Sequence, residues 1–270
     1  MAVTTTVRRI GAAVVAVALL AAAVIVTLSL RHHAAPAPSC RVANGTETYT
    51  LDVDQAANST TIAAVGKRLG LPDHAVTVAL AAALQESRLR NLAYGDRDSL
   101  GLFQQRPSQG WGTSTEILTP SYAAAAFFRA LVRVDGWAAL PVTVAAQKVQ
   151  RSADPSAYAQ WEPQARVLAA ALTGESEAGL TCRFSLSRSP DPAPAVVARM
   201  SNELGVTTLD ASFAPTRGWT VATWLVGHAE QFRVTTVSFH GREWRASTGR
   251  WRSTTPSDDR VRFRQQAPAA

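Results

Sequence analysis

Cysteine and lysine are nearly missing from this chain. Of its 270 residues only Cys40 and Cys182 carry a thiol, and lysine occurs only at Lys67 and Lys148. Two thiols so far apart lack metal-ligand spacing, and the five histidines (His32, His33, His74, His228 and His240) form no ligand set. The formal net charge of +7 comes from thinly spread arginine with no dense basic tract, which argues against nucleic acid as a partner. No glycine-rich phosphate loop follows an apolar strand, and no Gly-x-Ser-x-Gly nucleophile elbow exists. The pattern calls for no cofactor and no metal.

Charged residues make up only 17% of the chain, and hydrophobic residues 47%, enough for a sizeable core. Much of that imbalance sits at the N-terminus. Ile10 to Leu30 is uncharged and mostly Ala, Val, Leu and Ile. As a helix it would reach about 31 Å, close to the thickness of a bilayer's hydrocarbon core. Arg8 and Arg9 precede it, so the reading is a cytoplasmic tail at 1–9, a transmembrane signal-anchor at 10–30 and a Pro/Ala tether at 31–39. A cleaved signal peptide, giving a secreted protein, is the alternative. In either case the remainder lies outside the cytoplasm, and the expected location is the cell membrane with extracytoplasmic domains. A single span cannot line a transport path.

Export fits the thiol count. Two cysteines in an oxidising compartment suggest a Cys40–Cys182 bridge, with two free thiols as the alternative. They bracket the expected main domain, 40–182. Within it, 56–69, 73–88, 120–134, 141–150 and 155–173 carry helical patterns, and 91–112 is a polar, glycine-punctuated loop with room for a small hairpin. A proline-rich linker is expected at 183–194. A small α/β unit follows at 195–266, with helices at 195–204 and 219–232 and strands at 233–239, 242–247 and 260–265. The expected fold class is α+β: an N-terminal transmembrane helix, a mainly α domain and a small C-terminal α/β domain.

The densest chemical signal is Ala83-Leu84-Gln85-Glu86-Ser87 at the end of an apolar helix, followed by Gly101-Leu102-Phe103-Gln104. An acid among apolar neighbours favours its neutral, proton-donating form. The glycine lets backbone approach a ligand closely. Glycoside cleavage needs such a proton donor, together with a second carboxylate or an internal hydroxyl.

Taken together, Ala-Leu-Gln-Glu-Ser, Gly-Leu-Phe-Gln and the following Gln105-Arg106-Pro107 resemble the soluble lytic transglycosylase pattern of the lysozyme superfamily. The stretch from about Cys40 to Cys182, including the Tyr94-Gly95-Asp96-Arg97-Asp98-Ser99 loop, is similar to exported actinobacterial lysozyme-like domains. The resemblance implies a lysozyme-like fold acting on peptidoglycan glycan strands. Glu86 would be general acid and then base, Ser87 would bond the carboxylate or a sugar amide, and Gln104 would contact the glycan. In a hydrolase, Asp96 or Asp98 would position water; in a transglycosylase the muramic acid's own hydroxyl attacks. One departure stands out. The Ala-Tyr-Asn-Ala-Gly segment expected on a later helix reads here as Val144 to Ser152, with Gln147, Gln150 or the later Tyr158 as candidate replacements.

The C-terminal unit holds Trp219, Trp224, Trp244 and Trp251, read as core side chains rather than a sugar platform. It resembles a wall metallo-peptidase-related domain. Where that relative carries zinc-binding His-x-His, this chain has Asp258-Asp259-Arg260-Val261-Arg262-Phe263, and arginine is no imidazole substitute. The leading expectation is anchored cleavage of peptidoglycan strands. The alternative is a non-catalytic wall-binding or scaffold protein that keeps the lysozyme-like fold.

Overall fold

A computed structural model describes residues 37–152, 154, 156–186, 195–255 and 257–267 of the chain. Residues from Pro38 onward form one compact unit. The chain enters through an antiparallel hairpin, β1 (Ser39–Asn44) and β2 (Glu47–Leu51), turning at Gly45. Asp52 then starts α1 (Val53–Arg68) through a capping box with Gln55, each side chain satisfying the other's backbone N–H. The following helix, α2 (Asp73–Ser87), is buried from Ala75 to Leu84. Asp73 in its first turn accepts from Lys67 Nζ at 2.7 Å and Thr173 Oγ1 at 2.9 Å.

Beyond the 91–112 loop come a short helix, α3 (Ser114–Ile117), then α4 (Pro120–Leu131), α5 (Val142–Gln150) and α6 (Glu162–Leu172). Helix α6 begins later than the pattern predicts, because Tyr158 belongs to the turn before it. Close helix contact needs glycine at one point: a Cβ on Gly66 of α1 would stand 2.9 Å from Phe128 of α4. Strand β3 (Leu180–Arg183) then pairs with β1, completing a three-stranded sheet in the order β2-β1-β3. In that register Cys40 faces Cys182, and the two form a disulfide.

The remainder comprises α7 (Val196–Leu204), α8 (Pro215–Gly227) and strands β4 (Val234–Phe239), β5 (Arg242–Arg245), β6 (Arg250–Ser253) and β7 (Arg262–Gln265). These strands form a second antiparallel sheet, ordered β6-β5-β4-β7.

Two corrections to the expected fold class follow. First, the C-terminal stretch packs with the first part as one compact unit. Helix α8 packs on α1 so closely that a Cβ on Gly227 would sit 2.5 Å from Thr60. Thr220 Oγ1 donates to Thr173 O at 2.7 Å, and Phe184 N, inside the expected linker, donates to Ala246 O at 3.2 Å. The free edge of β3 is covered by tryptophan: Trp244 Nε1 donates to Cys182 O at 3.1 Å and Trp251 Nε1 to Leu180 O at 2.9 Å. Those bonds satisfy edge carbonyls that an isolated 40–182 domain would leave open. Buried Trp219, Trp224 and Trp244 thus extend the core of the first part.

A buried polar cluster seals the same junction. Glu203 of α7, fully buried, accepts from Thr61 Oγ1 at 2.9 Å, from Trp224 Nε1 at 2.8 Å and from Arg199. His228 lies against Thr60 and Thr61, and burial pushes its pKa down.

Second, no helix among the described residues is long and apolar enough to cross a membrane. The span expected at 10–30 lies outside the described residues. The described residues form a mixed α+β body of eight helices and two small sheets, and the transmembrane element drops out of its class.

Candidate active site

Glu86 stands on the last turn of α2, where sequence places the acid. The helix stops sharply after it, because Arg88 and Leu89 both take left-handed backbone angles (φ 55° and 62°). Fully buried Leu89 anchors this reversal. Glu86 is half-buried, and desolvation pushes its pKa above the ordinary carboxylate value. Two donors oppose that shift, the Tyr158 hydroxyl at 2.8 Å from Glu86 Oε1 and the Gln150 amide. Tyr158 is itself buried, which drives its own pKa up and keeps the phenol protonated as a donor. The result is a carboxyl inclined to hold its proton, with a fixed donor ready when the proton leaves.

Around this acid the Gly101–Gln104 turn is bolted in place. A Cβ on Gly101 (φ 74°) would lie 2.7 Å from Ile117 O, so only glycine fits. Phe103 stacks on Phe127 with centroids 4.7 Å apart. Ser87 Oγ donates to Leu102 O at 2.8 Å, and Gln150 Nε2 donates to Phe103 O at 2.9 Å. Ser87 therefore ties the helix to the turn. It is buried, and its hydroxyl is directed at backbone rather than at the carboxylate or a ligand.

The other residues named from sequence fall into different places. Gln104, half-buried, turns its amide onto the loop, with Nε2 within 3.4 Å of Tyr94 O and Oε1 so close over Gly95 that a Cβ there would stand 1.9 Å away. Asp98 accepts from Ser108 N at 2.8 Å and Arg106 Nε at 2.7 Å, and the Ser108 bonds above all hold its carboxyl well below the usual carboxylate range. It is a loop brace. Asp96 is exposed, with Arg97 Nε 4.0 Å from its carboxylate. The structure therefore brings Tyr158 and Gln150 to Glu86, while Asp98 is bonded to Arg106 and Ser108 and Asp96 is exposed. Burial, not a neighbouring carboxylate, raises the acid.

A polar cluster on the adjoining residue was not legible in advance. Trp161 Nε1 donates to Gln85 Oε1 at 2.7 Å, and the Arg88 guanidinium lies 3.9 Å from the Trp161 ring centroid. Beyond Gln150 opens a cleft of about 850 Å³ that also takes in Trp111, Tyr122, Arg129, Arg133, Lys148 and Arg151. Gln150 is the residue shared between cleft and acid. None of those four cations pairs with a carboxylate among the described residues, and the Arg129 guanidinium lies 5.6 Å from the Tyr122 ring centroid. The described residues contain no group of three or more His, Cys, Asp or Glu side chains able to hold a metal. No family model matches the chain, and no curated protein matches it.

Proposed function

We propose that this protein cleaves the glycan strands of peptidoglycan outside the cytoplasm by the lytic transglycosylase route, with Glu86 as both acid and base. The single observation carrying this reading is the environment of Glu86. It is one half-buried carboxyl, raised by desolvation rather than by a neighbouring carboxylate among the described residues, and gripped by Tyr158. The motif resemblance around Ala83–Ser87 and Gly101–Gln104 adds to it, as does a disulfide suited to an oxidising compartment.

In this mechanism neutral Glu86 protonates the oxygen joining N-acetylmuramic acid to N-acetylglucosamine, and the bond to the anomeric carbon breaks. The resulting carboxylate is stabilised by the Tyr158 and Gln150 donors. It then takes the proton from the muramic acid's primary hydroxyl as that oxygen closes on the anomeric carbon. An anhydro ring forms, Glu86 is neutral again, and no water is consumed. Hydrolysis would require a second carboxylate to hold water or attack. Asp98 is committed to Arg106 and Ser108, and Asp96 stands in solvent. The cationic, aromatic-lined cleft beyond Gln150 suits amino sugars bearing carboxylates.

Mass analysis of fragments released from purified sacculi tests the route. Anhydro-muropeptides support it. Reducing ends without anhydro sugars point to hydrolysis, and binding without release points to a non-catalytic wall protein.

A further inference from the structure

A second concave surface lies where the two sheets meet, on residues the Glu86 site does not use. It is a groove of about 580 Å³ lined by Arg41, Arg183, Arg250 and Arg252, with Ser39, Thr50, Thr181 and Thr248 among them. The arrangement follows from strand register. Ser39 faces Arg183, and Arg41 faces both Thr181 and Thr50, so these side chains share the face of the first sheet opposite buried Cys40 and Cys182. On β6, Arg250 and Arg252 share the face opposite Trp251, whose indole is turned toward β3. The sheets are locked together at this seam. Thr181 Oγ1 donates to Gly249 O at 2.6 Å, and a Cβ on Gly249 would stand 2.5 Å from Arg183 Cβ.

None of the four guanidiniums is ion-paired among the described residues. The carboxylate facing Arg252 across β5, Glu243, is bonded to Arg245 Nε at 2.7 Å. No acidic residue lines the groove among the described residues. Four unopposed charges held this close repel one another, which a bound anion would relieve. Their layout also selects the kind of anion. Alternate residues of one strand stand about 7 Å apart, so Arg250 and Arg252 present two separate forks rather than one convergent nest. Arg41 and Arg183 repeat that spacing diagonally across β1 and β3. Such an array fits repeated oxyanions along an extended chain better than a single phosphate. The guanidinium fork matches phosphate bidentately. Between the charges lie hydroxyls and no aromatic side chain on which a base could stack.

We propose that this groove binds a linear phosphodiester polymer without bases, a polyol-phosphate chain, along the row Arg41, Arg183, Arg250 and Arg252. The site is independent of Glu86, so a protein that binds here without cleaving glycan, or the reverse, separates the two readings. The test is titration of the full chain with labelled poly(glycerol phosphate), for wild type and two double variants, Arg250→Gln/Arg252→Gln and Arg41→Gln/Arg183→Gln. Each pair should lose about tenfold or more in affinity, and the slope of log affinity against log salt should flatten by roughly 1.4. A charge-matched control, Arg242→Gln/Arg260→Gln, should bind like wild type, and all should melt at the wild-type temperature. Inorganic phosphate at equal phosphate concentration should not compete. Equal weakening in the control would reduce the effect to net charge and overturn the proposal. So would single-stranded DNA binding as tightly, or free phosphate competing phosphate for phosphate.

Discussion

The Tyr158 hydroxyl donates to Glu86 Oε1 at 2.8 Å, from a position 72 residues further along the chain. This bond favours the ionised acid, while burial favours the neutral one. Removing the hydroxyl leaves burial less opposed. Tyr158→Phe should therefore move the alkaline limb of the activity profile to higher pH and lower the maximal rate about tenfold. Rate against pH on soluble glycan fragments reads both effects. A purely structural tyrosine would lower stability without moving the limb.

Linkage gives Glu86 a stability signature. Its folded pKa is raised above 4.5, so stability is fully present below that pH and falls as pH rises through the folded value, where a charge must be buried. Glu86→Gln carries no such charge. Its melting temperature should match wild type below pH 4.5 and exceed it near neutrality. Paired thermal melts across that range provide the check.

The disulfide joins residues separated by 142 positions. In the chain-entropy account such a bridge stabilises by up to about 5 kcal/mol. Cys40→Ser/Cys182→Ser should lose roughly 2–5 kcal/mol in denaturant melts, with the loss reproduced by reducing wild type.

The continuous core makes a sharper claim. A fragment ending at Leu186 exposes the α1 face that packs on α8, strips the β3 edge of its tryptophans and leaves Thr60 and Thr61 without His228 and Glu203. It should lack a cooperative melt. In the full chain, Glu203→Ala removes the acceptor shared by Thr61, Trp224 and Arg199, and should cost about 3–5 kcal/mol in one transition.

How far the sequence could be read depends on the range of the interactions. The helix-end position of Glu86, the apolar helix beneath it and the Cys40–Cys182 bridge are carried by local pattern or simple counting, and they stand where expected. Tyr158 was legible only as one of three candidate replacements, because its bond to Glu86 comes from folding a later turn back onto α2. Strands β1, β2, β3 and β6 went unread. Each is at most six residues long, too short for an alternating pattern to stand out; β2 and β6 pair locally with β1 and β5, and the distant pairing is that of β3 with β1. Composition suggested a linker and a second domain after Cys182. Yet two of the four tryptophans that looked like a separate core, Trp244 and Trp251, are the cover for β3. Ser87 and Asp98 have bonds that sequence does not display: Ser87 Oγ donates to Leu102 O, and Asp98 accepts from Arg106, so both tie the loop in place.

The central claim is chemical and has one direct measurement: solubilisation of purified sacculi by wild type and Glu86→Gln, side by side, with product analysis. The account predicts anhydro-ended fragments from wild type and a rate at least roughly a hundredfold lower from the variant. Equal release by both proteins, or none from a folded wild type, would contradict it.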